Sequence, residues 1–462
     1  MTQLPDEPGW LPVASLASAV RSGAVPAVEL VATALDRMAR DDARLGAFVV
    51  VDAERAMDRA RGVDAMVAAG KDPGPLAGVP VAVKDVTDVA GLPTRYGSLA
   101  FPDTPAANDA PLVARLCRAG AVVVGKTATA ELEFSATSES PLSGTTEHPF
   151  VAGRSAGGSS SGSAVAVASG MVPLATGTDG GGSMRVPAAC CGLPALKLSL
   201  GAVPAMDGDG APPPWPSLTS TGLLAADVAS LLYSHDIVTG PYWPDPTSAP
   251  AFACTLVDAG RRGVEGRAPR IAWLPDLGWS ETAPEVAALC VAAVERLAAA
   301  GASVVEVPAI GTRDPAWAWT RVAAVGSLAL VERRLDAAAR HRISPSLLGL
   351  LEKWGRGSIA DWQEAEAERW RLAAALARAV EHADVLVCPT TAQEPPVHAQ
   401  ARASDWVRNT YAFNLARWPA ASVPVGRTAA GLPIGLHLAA PAGEDLRLAS
   451  AVAWVDAVLA GR

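Results

Sequence analysis

Apolar positions recur at helical spacing through the first 70 residues. The stretches AVELVATALDRMAR (27–40) and AERAMDRARGVDAMVAAG (53–70) set apolar residues three and four apart with charges between them. That spacing predicts two amphipathic helices, the second stopped at a glycine. The period then changes. GVPVAVKD (78–85) and GAVVVGKT (120–127) are short, β-branched and apolar at successive positions, which is the pattern of a strand buried on both faces of a parallel sheet. DAPLVARLCRAG between them reads as a helix, so the segment predicts an alternating α/β unit.

Past residue 201 prolines thicken, and GDGAPPPWPS and PYWPDPTSAP read as loops. PRIAWLPD (269–276) and ASVVEVPAI (302–310) predict strands flanking the helix APEVAALCVAAVERLAAAG. From 315 to 383 the pattern is helical and carries Trp317, Trp319, Trp354, Trp362 and Trp370, a candidate helical cap. ADVLVCPTT and AASVPVG…GLPIGLHLAA bring strands back. Late strands after a helical insertion predict one sheet completed by the C-terminal part of the chain. The organisation expected is one domain over 1–462, with N-terminal helices over 1–70, a core over 71–230 and the cap over 310–385. No internal repeat or low-complexity linker interrupts it.

Half of the 462 residues are apolar and only 18% are charged, so a large core can be buried. The net charge is −9, and the longest basic runs are pairs such as Arg261–Arg262. Nucleic acid and anionic membrane are therefore not the expected partners. MTQLPDEPGWLP is acidic and lacks the basic-then-apolar order of a signal peptide. No apolar run reaches the ~18 residues of a membrane span. Cys117, Cys190, Cys191, Cys254, Cys290 and Cys388 sit in apolar contexts without metal-type spacing, and the adjacent Cys190–Cys191 reads as two buried small residues. The expected setting is reducing and cytoplasmic.

Chemistry concentrates in two glycine–serine segments, GGSSSGS from Gly157 and TDGGGSMR from Thr178. Gly158–Gly162 fits the G-x-S-x-G nucleophile elbow, which needs a later acid and then a histidine. His235, His341, His382, His398 and His437 do not stand in a loop of that kind, and His437 lies inside an apparent strand. A phosphate cradle fares no better, because neither segment continues as G-x-x-x-x-G-K-[ST]. Acyl transfer fits both segments. It needs a nucleophile, a base and donors aimed at the developing oxyanion. Ser183 follows Gly180, Gly181 and Gly182, whose N–H groups can converge beside its hydroxyl. Lysine can replace histidine as base when burial favours its neutral form. Lys84 ends the apolar run VPVAV, and from that stretch alone a base and a partner of Asp85 or Asp88 stand level.

The run GGSSSGSAVAVASGMVPLATGTDGGGSMRVPA (157–188) resembles the signature of the amidase signature family, the Ser–cis-Ser–Lys amidohydrolases. LAGVPVAVKDVTDVAGLPTRYGS is similar to that family's lysine segment, and AGAVVVGKTATAEL, ADVLVCPTT and FNLARWPAASVPVGRTAAGLPIGLHL extend the likeness over nearly the whole chain. The resemblance implies an α/β fold, with a central mixed sheet of about eleven strands enclosed by helices. It implies cleavage of a small-molecule carboxylic amide to a carboxylate plus ammonia or an amine through an acyl-enzyme. Carried over by position, Lys84 becomes the base, Ser159 the cis-serine and Ser183 the nucleophile. Gly180, Gly181, Gly182 and Ser183 become the oxyanion hole. Ser160, near the Lys84 amine, together with Asp179 and Arg185 take supporting places. No metal or organic cofactor is implied, and analogy suggests a homodimer. The substrate pocket is expected from the cap, including Trp317, and from loops around Thr137 and Trp215. Gly180 replaces a commoner larger residue, which predicts a looser loop or room for a bulkier acyl group; Ser161 replaces a common glycine. The segment SLTSTGLLAADV (217–228) lacks the S-x-D-Q pattern of the glutamine-using amidotransferase subunits, which weighs against that role. Acyl transfer to an amine would use the same residues.

Overall fold

The structure is a computed structural model that describes residues 9–311, 313–401 and 405–461. Most of the N-terminal stretch read for a signal peptide, residues 1–8, lies outside the described residues. The predicted helices at the start form over Ala27–Leu45 and Ala53–Ala68. Between them a short strand that the helical pattern had hidden, β1 (Phe48–Val51), enters the sheet. The two apolar runs become β2 (Pro80–Lys84) and β3 (Val122–Thr127), buried at every position and parallel to each other. A side chain pointing to either face of such a strand meets other protein, which is why neither run alternates.

A two-stranded hairpin, β4 (Glu139–Ser140) with β5 (Gly144–Thr145), stands apart from the main sheet. The next strands are β6 (Leu174–Asp179), β7 (Ala195–Lys197), β8 (Ser220–Ala225), β9 (Arg270–Trp273) and β10 (Ser303–Glu306). The C-terminal part adds β11 (Val385–Pro389), β12 (Ala420–Arg427) and β13 (Pro433–Ala439). The main sheet has 11 strands in the order β1-β3-β2-β6-β8-β7-β12-β13-β11-β9-β10. It is mixed: β2 runs parallel to β3 and β6, while β8, β7, β12 and β13 alternate antiparallel. The late strands pair next to β7, so the C-terminal part closes the sheet begun by the N-terminal part.

The predicted cap is helical, with helices Ala316–Arg334, Pro345–Gly355 and Ile359–Ala379. The first of these is buried on two sides. Ala318, Val322 and Ala323 pack with Trp215 and Phe413, whereas Ala324, Leu330 and Val331 pack with Val86, Tyr96 and Leu132. It therefore roofs the ends of β2 and β6. Among the described residues, no helix is long and apolar enough to cross a membrane.

Candidate active site

Strands β2 and β6 are parallel neighbours, and their carboxyl ends carry Lys84 and Thr178–Asp179. Open α/β sheets hold ligands in crevices at the carboxyl ends of such strands. Lys84 is fully buried. Its Nζ lies 2.8 Å from Ser159 Oγ, 2.6 Å from Thr178 Oγ1 and 3.0 Å from Glu133 Oε2. Burial pushes the amine down from its ordinary value, and the Glu133 carboxylate pulls it part of the way back. Asp85 pairs with Lys126 at 3.1 Å, and Asp88 accepts the Gly208 N–H. Neither carboxylate takes the lysine.

The Gly158–Ser159 peptide is cis. One residue on, the Ser160 N–H donates to the Ser183 carbonyl at 3.1 Å, which fastens the two glycine–serine segments together. The Ser160 hydroxyl bonds beside the Lys84 amine and not to it. It donates to the Thr178 carbonyl at 3.3 Å and accepts the Thr178 N–H at 3.4 Å, because the end of β6 presents both groups to it. Ser160 thus supports the lysine only at second hand, through the backbone of the threonine that touches Nζ. Ser183 stands with Gly181 and Gly182 on the wall of a cavity of about 250 Å³.

The loop before Ser183 is held from below by Asp179 and Arg185. Their side chains, both fully buried, meet at 2.8 and 2.9 Å in a two-pronged pair. Burial alone would raise the Asp179 carboxyl, but the Arg185 guanidinium holds it well below the usual carboxylate range. Asp179 Oδ1 also accepts the Gly182 N–H at 2.7 Å. Gly182 at φ +125° turns that N–H toward the carboxylate, so it is not the oxyanion donor the sequence suggested. The carbonyls of Gly180 and Gly181 accept from Trp319 Nε1 at 2.7 Å and Thr410 Oγ1 at 2.6 Å. The N–H groups of Gly180, Gly181 and Ser183 have no protein acceptor among the described residues, and Gly181 and Ser183 line the cavity, where theirs remain available to a ligand oxygen.

Phe134, Trp319 and Tyr411 form the aromatic side of the cavity, with Val186, Leu350 and Val407 completing it. None of the three wall residues expected from sequence lines this surface. Trp215 packs edge-on against Phe134 and Trp319 at 5.6 and 5.8 Å and donates to Ser327 Oγ. Its ring also fills the space at Gly180, where a methyl group would lie 2.2 Å from it. The small residue therefore opens neither the loop nor the pocket. Thr137 is buried and turned back on Ser135. Trp317 lies under the Arg313 guanidinium; residues two apart on a helix point about 200° away from each other, so only Trp319 faces the cavity. Trp370 is 77% exposed.

Glu133 and Thr178 are the lysine partners that sequence reasoning missed. Thr178 opens one of the two segments singled out, where only the glycines and Ser183 drew a role. Leu132 and Glu133, at φ 51° and 61°, take successive left-handed turns, which no spacing pattern announces. Histidines stay away from the chemistry: His437 is buried inside β13 against Arg185, and His235 is bonded within its own helix. Cys190 and Cys191 are buried free thiols, pushed up by burial. Among the described residues, no group of three or more His, Cys, Asp or Glu is placed to hold a metal ion.

A model of the amidase family matches residues 29–449. An acylamidase of Rhodococcus erythropolis is 32% identical, with 97% of this chain and 95% of that protein covered. A glutamyl-tRNA(Gln) amidotransferase component from Salinispora tropica is 33% identical, with 96% of each covered. Among solved structures, a bacterial aryl acylamidase of the amidase signature family superposes with a TM-score of 0.88 at 25% identity, covering 98% of this chain and 99% of that one.

Proposed function

The chain belongs to the amidase signature family and is an amide-hydrolysing enzyme, and from that premise we propose that it cleaves small amides bearing an apolar or aromatic group through an acyl-enzyme on Ser183. The observation that carries this reading is the buried Lys84 amine 2.8 Å from Ser159 Oγ, beside the cavity that exposes Ser183. The amine, which burial biases toward its neutral form, accepts the Ser159 proton, and Ser159 accepts the proton of Ser183 as its Oγ attacks the amide carbon. The oxygen that gains charge is met by the N–H groups of Gly181 and Ser183, fixed before the substrate arrives. When the tetrahedral adduct collapses, the proton returns through Ser159 to the departing amine. Water then attacks the ester by the same relay and releases the carboxylate.

The cavity walls support the substrate class. Phe134, Trp319 and Tyr411 supply aromatic lining, and Glu133, the charged side chain on that wall, already faces Lys84. An aryl or alkyl group buries apolar area there without stranding a charge. The related solved enzyme is named an aryl acylamidase, which agrees with such walls. The six free thiols favour a reducing, cytoplasmic setting.

Ammonia or amine release from a panel of primary amides, anilides and glutamine tests the reading. Ser183→Ala and Lys84→Ala are each expected to lower turnover by at least about 10⁴-fold, since members of a catalytic unit fail together. Turnover that survives Ser183→Ala removes the acyl-enzyme, and a preference for glutamine over anilides replaces the substrate class.

A further inference from the structure

We propose that Glu133 is a positioning residue, which holds the Lys84 amine on the Ser159 hydroxyl and sets the pH above which the relay runs. This rests on the reading of Lys84 as the base. Three observations carry it. Glu133 Oε2 meets Lys84 Nζ at 3.0 Å and also accepts a short hydrogen bond from Thr178 Oγ1. The same Thr178 hydroxyl touches Nζ, so lysine, threonine and glutamate close a triangle that leaves the Ser159 side as the amine's remaining direction. The backbone is bent for it. Leu132 and Glu133 both adopt left-handed φ, which a bulky residue rarely does, and residues of that kind cluster at functional sites. An uncharged side chain would satisfy packing here; a carboxylate buried to 5% exposure beside a buried amine changes chemistry as well.

Other charges near the lysine are already engaged. Asp85, next along β2, is held by Lys126, and Asp179, at the end of β6, by Arg185. Beyond Glu133 and Thr178, a space of about 20 Å³ separates them from Asp207, which Arg334 of the cap pairs at 3.0 Å. Tyr96, buried between, donates weakly to Asp207. Burial pushes the Asp207 carboxyl up to about 7, so it titrates in the working range and has to be separated from Glu133 by experiment.

The sign follows from charge. Activity needs neutral Lys84, and a carboxylate beside the amine favours its protonated form. Removing that charge should move the acid limb of the pH–rate profile to lower pH, by about one unit or more for a charge this close. The rate of Ser183 modification by a fluorophosphonate reads the relay without knowledge of the natural substrate: Oγ bonds to phosphorus, fluoride leaves, and the serine proton passes to Lys84 through Ser159. The expected result is an acid limb displaced downward in Glu133→Gln. In Glu133→Asp the limb stays close to that of the unsubstituted enzyme with a lower plateau. In Glu133→Ala the plateau falls about 10- to 100-fold, the size of a lost hydrogen bond to a charged group. Asp207→Asn is expected to leave the limb in place. The proposal is overturned by a limb that is unmoved or raised in Glu133→Gln, or that moves in Asp207→Asn alone. It is also overturned by a Glu133→Ala plateau within about twofold of the unsubstituted enzyme. Labelling that persists in Lys84→Ala overturns the base reading itself, whereas a dead Lys84→Ala with an unmoved Glu133→Gln limb removes only the role of Glu133. Melting curves of each variant, with Glu133→Asp as the least disruptive, confirm that folded protein is being compared.

Discussion

Gly180 and Trp215 share one space, and neither residue type explains itself alone. A methyl at position 180 would meet the indole at 2.2 Å, and the indole is fixed by its bond to Ser327 at 2.7 Å. Gly180→Ala must therefore displace a ring that backs both Phe134 and Trp319. Overpacking of this kind costs about 1–3 kcal/mol, so a lower melting temperature and slower turnover are expected together. Trp215→Leu beside it should recover part of both losses, because residues in contact couple in a double-mutant cycle. Strict additivity would show that the two do not compete for that space. At this scale Lys84, Ser159 and Ser183 were singled out through the resemblance to the amidase signature, since the stretch around Lys84 alone left a base and an ion-pair partner level. Glu133 was not, since its reach to Lys84 depends on two left-handed residues. The commitment of the Gly182 N–H to Asp179 was equally hidden: three glycines reveal that amides are free to converge, but not which of them an acid has taken.

At the scale of elements, the cap helix and the loop before the nucleophile are joined by one bond. Trp319 lines the cavity and donates its Nε1–H to the Gly180 carbonyl at 2.7 Å. The wall proposed for the substrate thus orients the peptide unit that carries the Gly181 N–H. Trp319→Phe keeps an aromatic wall and deletes the donor, leaving a carbonyl without its partner at a cost of about 1–2 kcal/mol. If the bond serves the oxyanion site, kcat should fall about tenfold while KM changes less than twofold. A rise in KM at constant kcat would show Trp319 to be wall only. Sequence placed a tryptophan-bearing cap over the site and missed which tryptophan enters. A helix repeats every 3.6 residues, so the choice between 317 and 319 turns on the rotation of the helix about its axis, and that is set by packing against Trp215 and Leu132.

At the scale of the molecule, seven of the eleven strands of the main sheet were legible as apolar runs, β1, β6, β7 and β8 were not, and the strand order was not legible at all. Apolar runs mark what is buried, but which runs become neighbours depends on where the chain returns, and β12 returns to pair with β7 after more than two hundred intervening residues. That return buries Lys197, at the end of β7, in the middle of the sheet with the Trp418 carbonyl as its acceptor. Burial, with Arg185 adding repulsion, pushes its amine down to about 7, although Asp179 and Asp445 oppose the shift. The unfolded chain holds the proton up to about 10.4. Between these values the unfolded state binds more protons, so the stability withheld by a charged Lys197 is fully absent below pH 7 and regained as pH rises. Lys197→Met removes that dependence while leaving the Trp418 carbonyl unpaired, a cost that does not vary with pH. The stability of Lys197→Met relative to the unsubstituted protein should therefore be greater at pH 6 than at pH 9, by on the order of 2–3 kcal/mol at 1.36 kcal/mol per unit. Denaturant melts of both proteins at the two pH values measure this directly. A pH-independent difference would mean that Lys197 keeps its charge when buried, and that the Asp179–Arg185 pair beneath the nucleophile loop rests on a third fixed charge.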